Sequence, residues 1–153
     1  MVGYGTTSYK ANGGGPVDGS GLMSKQFESN GGRKFRDVAD GLSNTAMIGE
    51  SDYVTADGTT APTVSEDWPT WLGSVNTDES IRYEGEAEDP INGYVGINRM
   101  AFARSDDCAF SYHVGGAQFC LGDGSVRFIN ENVDLTNYGY LHMIADGNPV
   151  AEF

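Results

Sequence analysis

Short alternations of apolar and polar residues dominate this chain, and turn residues separate them. Ala46-Met47-Ile48-Gly49-Glu50 reads as a short buried strand that Tyr53 and Val54 continue. Residues 109–113 and 118–121 alternate on either side of Val114-Gly115-Gly116-Ala117, which predicts a hairpin closed at the Gly-Gly pair. Asp123-Gly124 predicts a second tight turn. Residues 125–129 form the next expected strand, with Val126 and Phe128 on one face and Arg127 on the other. A single helix follows: Asp134 suits its N-cap, and Leu135, Tyr138, Leu141 and Ile144 recur along one side. Gly147 stands where a C-cap glycine would, Pro149 prevents continuation, and residues 150–153 read as a last short strand.

The stretches between these elements are long. Residues 1–33 are rich in Gly, Ser, Thr and Asn, yet Tyr4, Tyr9, Leu22, Met23 and Phe27 punctuate them, so an ordered Gly-rich segment with one or two strands is expected rather than a linker. Residues 55–93 are the most polar part and read as a surface excursion pinned by Trp68 and Trp71, before alternation resumes at Tyr94, Val95 and Ile97 in the hairpin, strand and helix region 94–153. The expected architecture is α+β and β-rich. It is one domain over 1–153, an antiparallel sheet with long ordered Gly-rich loops and one C-terminal helix.

Composition sharpens this picture. Glycine numbers 22 of 153 residues, about twice its usual share of roughly 7%, while 39% hydrophobic and 11% aromatic content opposes disorder. The net charge of −13 repels nucleic-acid phosphate, so no nucleic-acid partner is expected. No apolar run approaches the roughly 18 residues of a membrane span, and none follows a basic start as in a signal segment. Cys108 and Cys120 point to opposite faces in the simplest hairpin register, which opposes a disulfide; a bulge or an oxidising compartment would permit one.

Several residues carry possible chemistry, each with a plainer structural reading. His113 and Asp123 bracket the expected hairpin and could serve as acid and base, or hold structure through a loop contact and a turn. Glu84, Glu86, Glu88 and Asp89, with Asp106 and Asp107, offer carboxylate oxygens to calcium, or form a solvated acidic loop. Trp68 and Trp71, with Tyr53 and Tyr83, could stack on a sugar or anchor loops over the core. His142 has no carboxylate or Cys at zinc-ligand spacing. No nucleophile elbow and no phosphate-binding loop is present.

The string from His113 through nine residues to Asp123-Gly124, followed by Ser125-Val126-Arg127-Phe128-Ile129, resembles the C-terminal signature of the H-x9-DG prepilin-like family, domain of unknown function 1559. Asp40-Gly41-Leu42-Ser43-Asn44-Thr45-Ala46-Met47-Ile48-Gly49-Glu50 resembles that family's central segment. Ser8-Tyr9-Lys10-Ala11-Asn12-Gly13-Gly14 is a weaker match in the expected order. The leader and long apolar helix typical of the family do not stand in this sequence, so it is expected to be the pseudopilin-like head domain alone. The resemblance implies a structural, self-assembling protein that is extracellular or at the cell surface, with no known catalysis and with itself as partner. It also raises calcium as a possible ligand, because related pseudopilins often hold one. Two other readings are a calcium-dependent adhesin or carbohydrate-binding module using residues 55–93, and an enzyme using His113 and Asp123.

Overall fold

A computed structural model describes residues 7–17, 19–24, 33–51, 82–93 and 108–151. Five strands form one sheet: β1 (Tyr9–Gly14), β2 (Ala46–Glu50), β3 (Arg82–Glu84), β4 (Gly116–Leu121) and β5 (Val126–Asn130). Their order across the sheet is β3-β1-β2-β4-β5. A single α-helix, α1 (Leu135–Leu141), follows, so the chain is mostly β with one C-terminal helix. The sheet is mixed: β1 pairs with β3 in parallel, and the other three pairings are antiparallel. The parallel pair departs from the expected all-antiparallel sheet. Parallel neighbours need a long crossover, and the chain between Gly14 and Arg82 supplies one, with β2 inside it.

The sequence pattern explains the elements it predicted. β2 falls on the expected five residues, and β5 is displaced by one from its expected start. Asp134 caps α1 by accepting the Asn137 N–H at 2.9 Å. The helix ends at Leu141, well before Gly147, because the His142 and Met143 N–H groups close a tighter last turn on the carbonyls of Gly139 and Tyr140. Gly147 instead takes a positive φ of 73° in a separate turn. Residues 150 and 151 are not a strand. The Asn137 amide accepts the Ala151 N–H at 2.8 Å and so occupies the backbone group that a sheet neighbour would have used.

The expected Gly-Gly hairpin does not form. Both ladder edges of β4 are taken, one by β2 and the other by β5 after the Asp123-Gly124 turn. Residues 109–111 cross the end of β2 instead, where Phe110 N–H donates to Glu50 O at 2.9 Å. Gly116 lies inside β4, and a Cβ there would stand 2.0 Å from the Ile129 carbonyl oxygen. Its glycine serves close backbone approach rather than a turn.

The core lies on one face of the sheet. Ala117, Phe119 and Leu121 of β4 point into it with Ala46, Tyr83 and Ile129, and α1 adds Tyr138 and Leu141. Burying each large apolar side chain contributes roughly 1.5–3 kcal/mol. An aromatic group stands at its centre: the Tyr138 and His142 rings are 4.4 Å apart, and Phe119 and Tyr83 lie 5.9 and 5.3 Å from His142. The opposite face carries the alternate residues and is open among the described residues. Tyr9 is 55% exposed, Met23 48%, Val126 64% and Phe128 41%. Val126 and Phe128 do share a face, as expected, but it is this open one, and Ile129 supplies the core contact.

Candidate functional site

β2 and β4 run side by side, and each carries one of the two long motifs. Three pairs set their register: Ala46 with Leu121, Ile48 with Cys120 and Gly49 with Phe119. Both ends of this pair are fastened by motif residues. At one end Gly122 N–H donates to Thr45 O at 2.9 Å and Asp123 N–H to Leu42 O at 3.2 Å. At the other end Glu50 Oε2 accepts the Gln118 N–H at 2.7 Å, and Glu50 Oε1 lies 3.4 Å from His113 Nε2.

The remaining motif residues tighten the same unit. Thr45 is fully buried, and its hydroxyl donates to Gly41 O at 3.1 Å, while the Asn44 amide donates to Asp40 O at 3.1 Å. The Asp40 carboxylate accepts the N–H groups of Asp146 and Gly147 at 2.8 and 3.1 Å, tying the central motif to the segment after α1. Ser43 is exposed. Asn12, from the weaker motif in β1, is buried; its amide donates to Ala46 O and His142 O at 2.8 and 3.1 Å. Gly124 sits in the turn at φ 87°, a left-handed conformation in which glycine carries no steric penalty.

His113 and Asp123 are not brought together. They flank opposite ends of the six-residue β4, and His113 contacts Glu50 instead. Asp123 is exposed and accepts the Ser125 hydroxyl at 2.6 Å and its N–H at 2.9 Å. Those two bonds hold its carboxyl below the usual carboxylate range. Each group is thus engaged separately, His113 beside Glu50 and Asp123 in its own turn, rather than aimed at one substrate proton.

Nor do the acidic residues at 84–89 converge. Glu84 lies in β3, Glu88 is exposed, and Asp89 is buried with its carboxylate 3.7 Å from the Cys108 thiol. Among the described residues, no three His, Cys, Asp or Glu side chains gather where they could hold a metal ion. Cys108 and Cys120 are not joined in a disulfide, and Cys108 is buried. Trp68, Trp71, Asp106 and Asp107 lie outside the described residues.

Nothing in the local sequence pattern pointed to the role of His142. Its Nδ1 lies 2.7 Å from the Tyr138 carbonyl, which only accepts, so Nδ1 carries the proton. Nε2 is then an acceptor for the Tyr83 hydroxyl at 3.0 Å. Complete burial lowers its pKa from 6.5 to about 4, and burial also raises both tyrosines well above their usual values. The signal lay in Gly85, where a Cβ would stand 2.0 Å from His142 Cγ, but only the fold brings the two together.

Two concavities adjoin Glu50. A cleft of about 250 Å³ is lined by Ser8, Ser51, Phe110, Tyr112 and His113. A larger groove of about 720 Å³ runs over the open sheet face past Tyr9, Ala11, Met23, Ile48, Cys120 and Val126.

The family described as "Protein of unknown function (DUF1559)" matches residues 2–136. The chain belongs to that family. All five strands fall inside the matched span. The DUF1559 match thus spans the whole sheet, whereas most of α1 and the segment held by Asp40 lie at or beyond its limit. No curated protein and no solved structure matches the chain. No helix among the described residues is long and apolar enough to cross a membrane.

Proposed function

We propose that this DUF1559 chain is a structural subunit that associates with copies of itself at the cell surface or outside the cell, as the pseudopilin-like resemblance implies. The observation that carries the reading is the one-sided sheet. One face is filled by the aromatic core, while the other leaves Tyr9, Met23, Val126 and Phe128 exposed around a groove of about 720 Å³. Exposed apolar side chains beside a groove favour an interaction surface. The motif residues favour a scaffold role, because Asp40, Thr45, Glu50 and Asp123 each have a partner within the fold. His113, three-fifths exposed, leans on Glu50 rather than on a nucleophile. The solution mass of the purified chain across a concentration series tests this reading. Reversible growth above the monomer mass supports it, and a monomer throughout contradicts it.

A further inference from the structure

The outer edge of β5 closes one side of the sheet. Leu121 N–H donates to Ser125 O and Glu131 N–H to Gly115 O. These bonds fix Gly115/Glu131, Ala117/Ile129, Phe119/Arg127 and Leu121/Ser125 as the positions that exchange ladder hydrogen bonds. Val126, Phe128 and Asn130, the alternate residues, therefore turn their backbone N–H and C=O groups away from β4. β5 ends the sheet, so among the described residues no strand meets those groups. Edge strands are commonly protected by charge, proline or a bulge. Here β5 carries one charge, the exposed Arg127, and no proline, while Val126 and Phe128 expose apolar side chains.

We infer that β5 pairs antiparallel with β5 of a second copy about a two-fold axis at Phe128, joining two five-stranded sheets into one. This rests on the self-association reading and names the surface it uses. The occupant is a second copy because the edge is self-complementary. Val126 and Asn130 are equally spaced about Phe128, so the rotation sets the Phe128 N–H and C=O against those of its mate and the Asn130 N–H against the Val126 C=O of the other chain, while the Asn130 C=O already accepts the Val133 N–H at 3.0 Å. Phe128 faces its own symmetry mate, an aromatic cross-strand pair. On the other face Arg127 stands diagonal both to Glu131 of the partner subunit and to the partner's Arg127, and Glu131 already accepts the Asn92 amide at 2.8 Å, so the backbone match and the Phe128 pair, not charge, carry the pairing. The exposed rows of the two open faces then become continuous.

The test uses the whole 153-residue chain under reducing conditions. In a mixture of isotope-labelled and unlabelled protein, the pairing places Arg127 beside Ile129 of the partner subunit. These residues are not partners within one chain, where they pair with Phe119 and Ala117. An intermolecular NMR contact between them is the expected result. Phe128→Pro removes the central outward N–H, and Phe128→Glu sets two carboxylates across the axis. Each variant should weaken association at least tenfold while keeping the monomer's circular dichroism, and the second stands if the first fails to fold. Association of undiminished strength in a folded variant, or intermolecular contacts confined to other residues, would overturn the edge pairing and leave self-association standing. A wild-type chain that stays monomeric at every concentration would overturn both.

Discussion

Glu50 Oε1 lies 3.4 Å from His113 Nε2, so the last residue of the central motif touches the first residue of the C-terminal one. The same carboxylate accepts the Gln118 N–H from β4 through its other oxygen. The two contacts differ in weight. His113 is 60% exposed and water competes for it, whereas the Glu50 side chain is 15% exposed. Exposed pairs contribute about 0–1 kcal/mol, while a buried donor left without its acceptor costs about 1–3 kcal/mol. His113→Ala should therefore change the urea unfolding free energy by less than about 1 kcal/mol. Glu50→Ala should cost about 1–3 kcal/mol. Equal losses in the two variants would show that the histidine contact, not the strand contact, is what the carboxylate supplies.

Asp40 fixes the chain after the helix. Replacing it by Ala strands the N–H groups of Asp146 and Gly147. The expected loss is about 1–2 kcal/mol, with amide exchange at 146 and 147 accelerating more than in β4. Uniform acceleration throughout the sheet would mean that Asp40 supports the whole core rather than this connection.

Stability should fall in mild acid because of His142. Its pKa is about 4 in the fold against 6.5 as the ordinary value. Between those limits the unfolded chain binds the extra proton, so stability rises with pH through that window and the effect is absent above it. A separation of that size corresponds to a loss on the order of 3 kcal/mol once pH has fallen to 4. His142→Gln should flatten the slope of unfolding free energy between pH 6.5 and 4.5. An unchanged slope would assign it to other groups.

Gly85 is required by the same histidine. Gly85→Ala places a methyl 2.0 Å from His142 Cγ, inside the aromatic cluster. Gly124→Ala meets nothing within 4 Å and carries only the strain of φ 87°. The first should destabilise by several times the roughly 1–2 kcal/mol expected of the second. Thermal unfolding of the two variants compares them directly.

Local chemistry was legible in the sequence. The apolar run of β2, the alternation of β5, the Asp134 cap and the Asp123-Gly124 turn follow from side-chain period and hydrogen-bonding capacity, and they stand where the pattern put them, β5 within one residue. What was not legible depends on remote partners. The Gly115-Gly116 pair carries the composition of a turn, but Gly116 is dictated by the Ile129 carbonyl. The parallel β1/β3 pairing and the burial of His142 against Tyr83 join residues dozens of positions apart, which no local period reports. The sequence left His113 and Asp123 open between an acid–base pair and two separate structural roles, a loop contact and a turn. The six residues of β4 hold those two groups apart and give His113 to Glu50.

Self-association is tested most directly by the solution mass, measured by light scattering over a range of concentration and salt. Each copy carries a net charge of −13, so like-charge repulsion opposes assembly and salt relieves it. The expected result is a mass that moves from the monomer value toward twice that value or more, at lower concentration in high salt than in low. A fixed monomer mass under all conditions, from protein shown to be folded, would contradict a self-associating structural subunit.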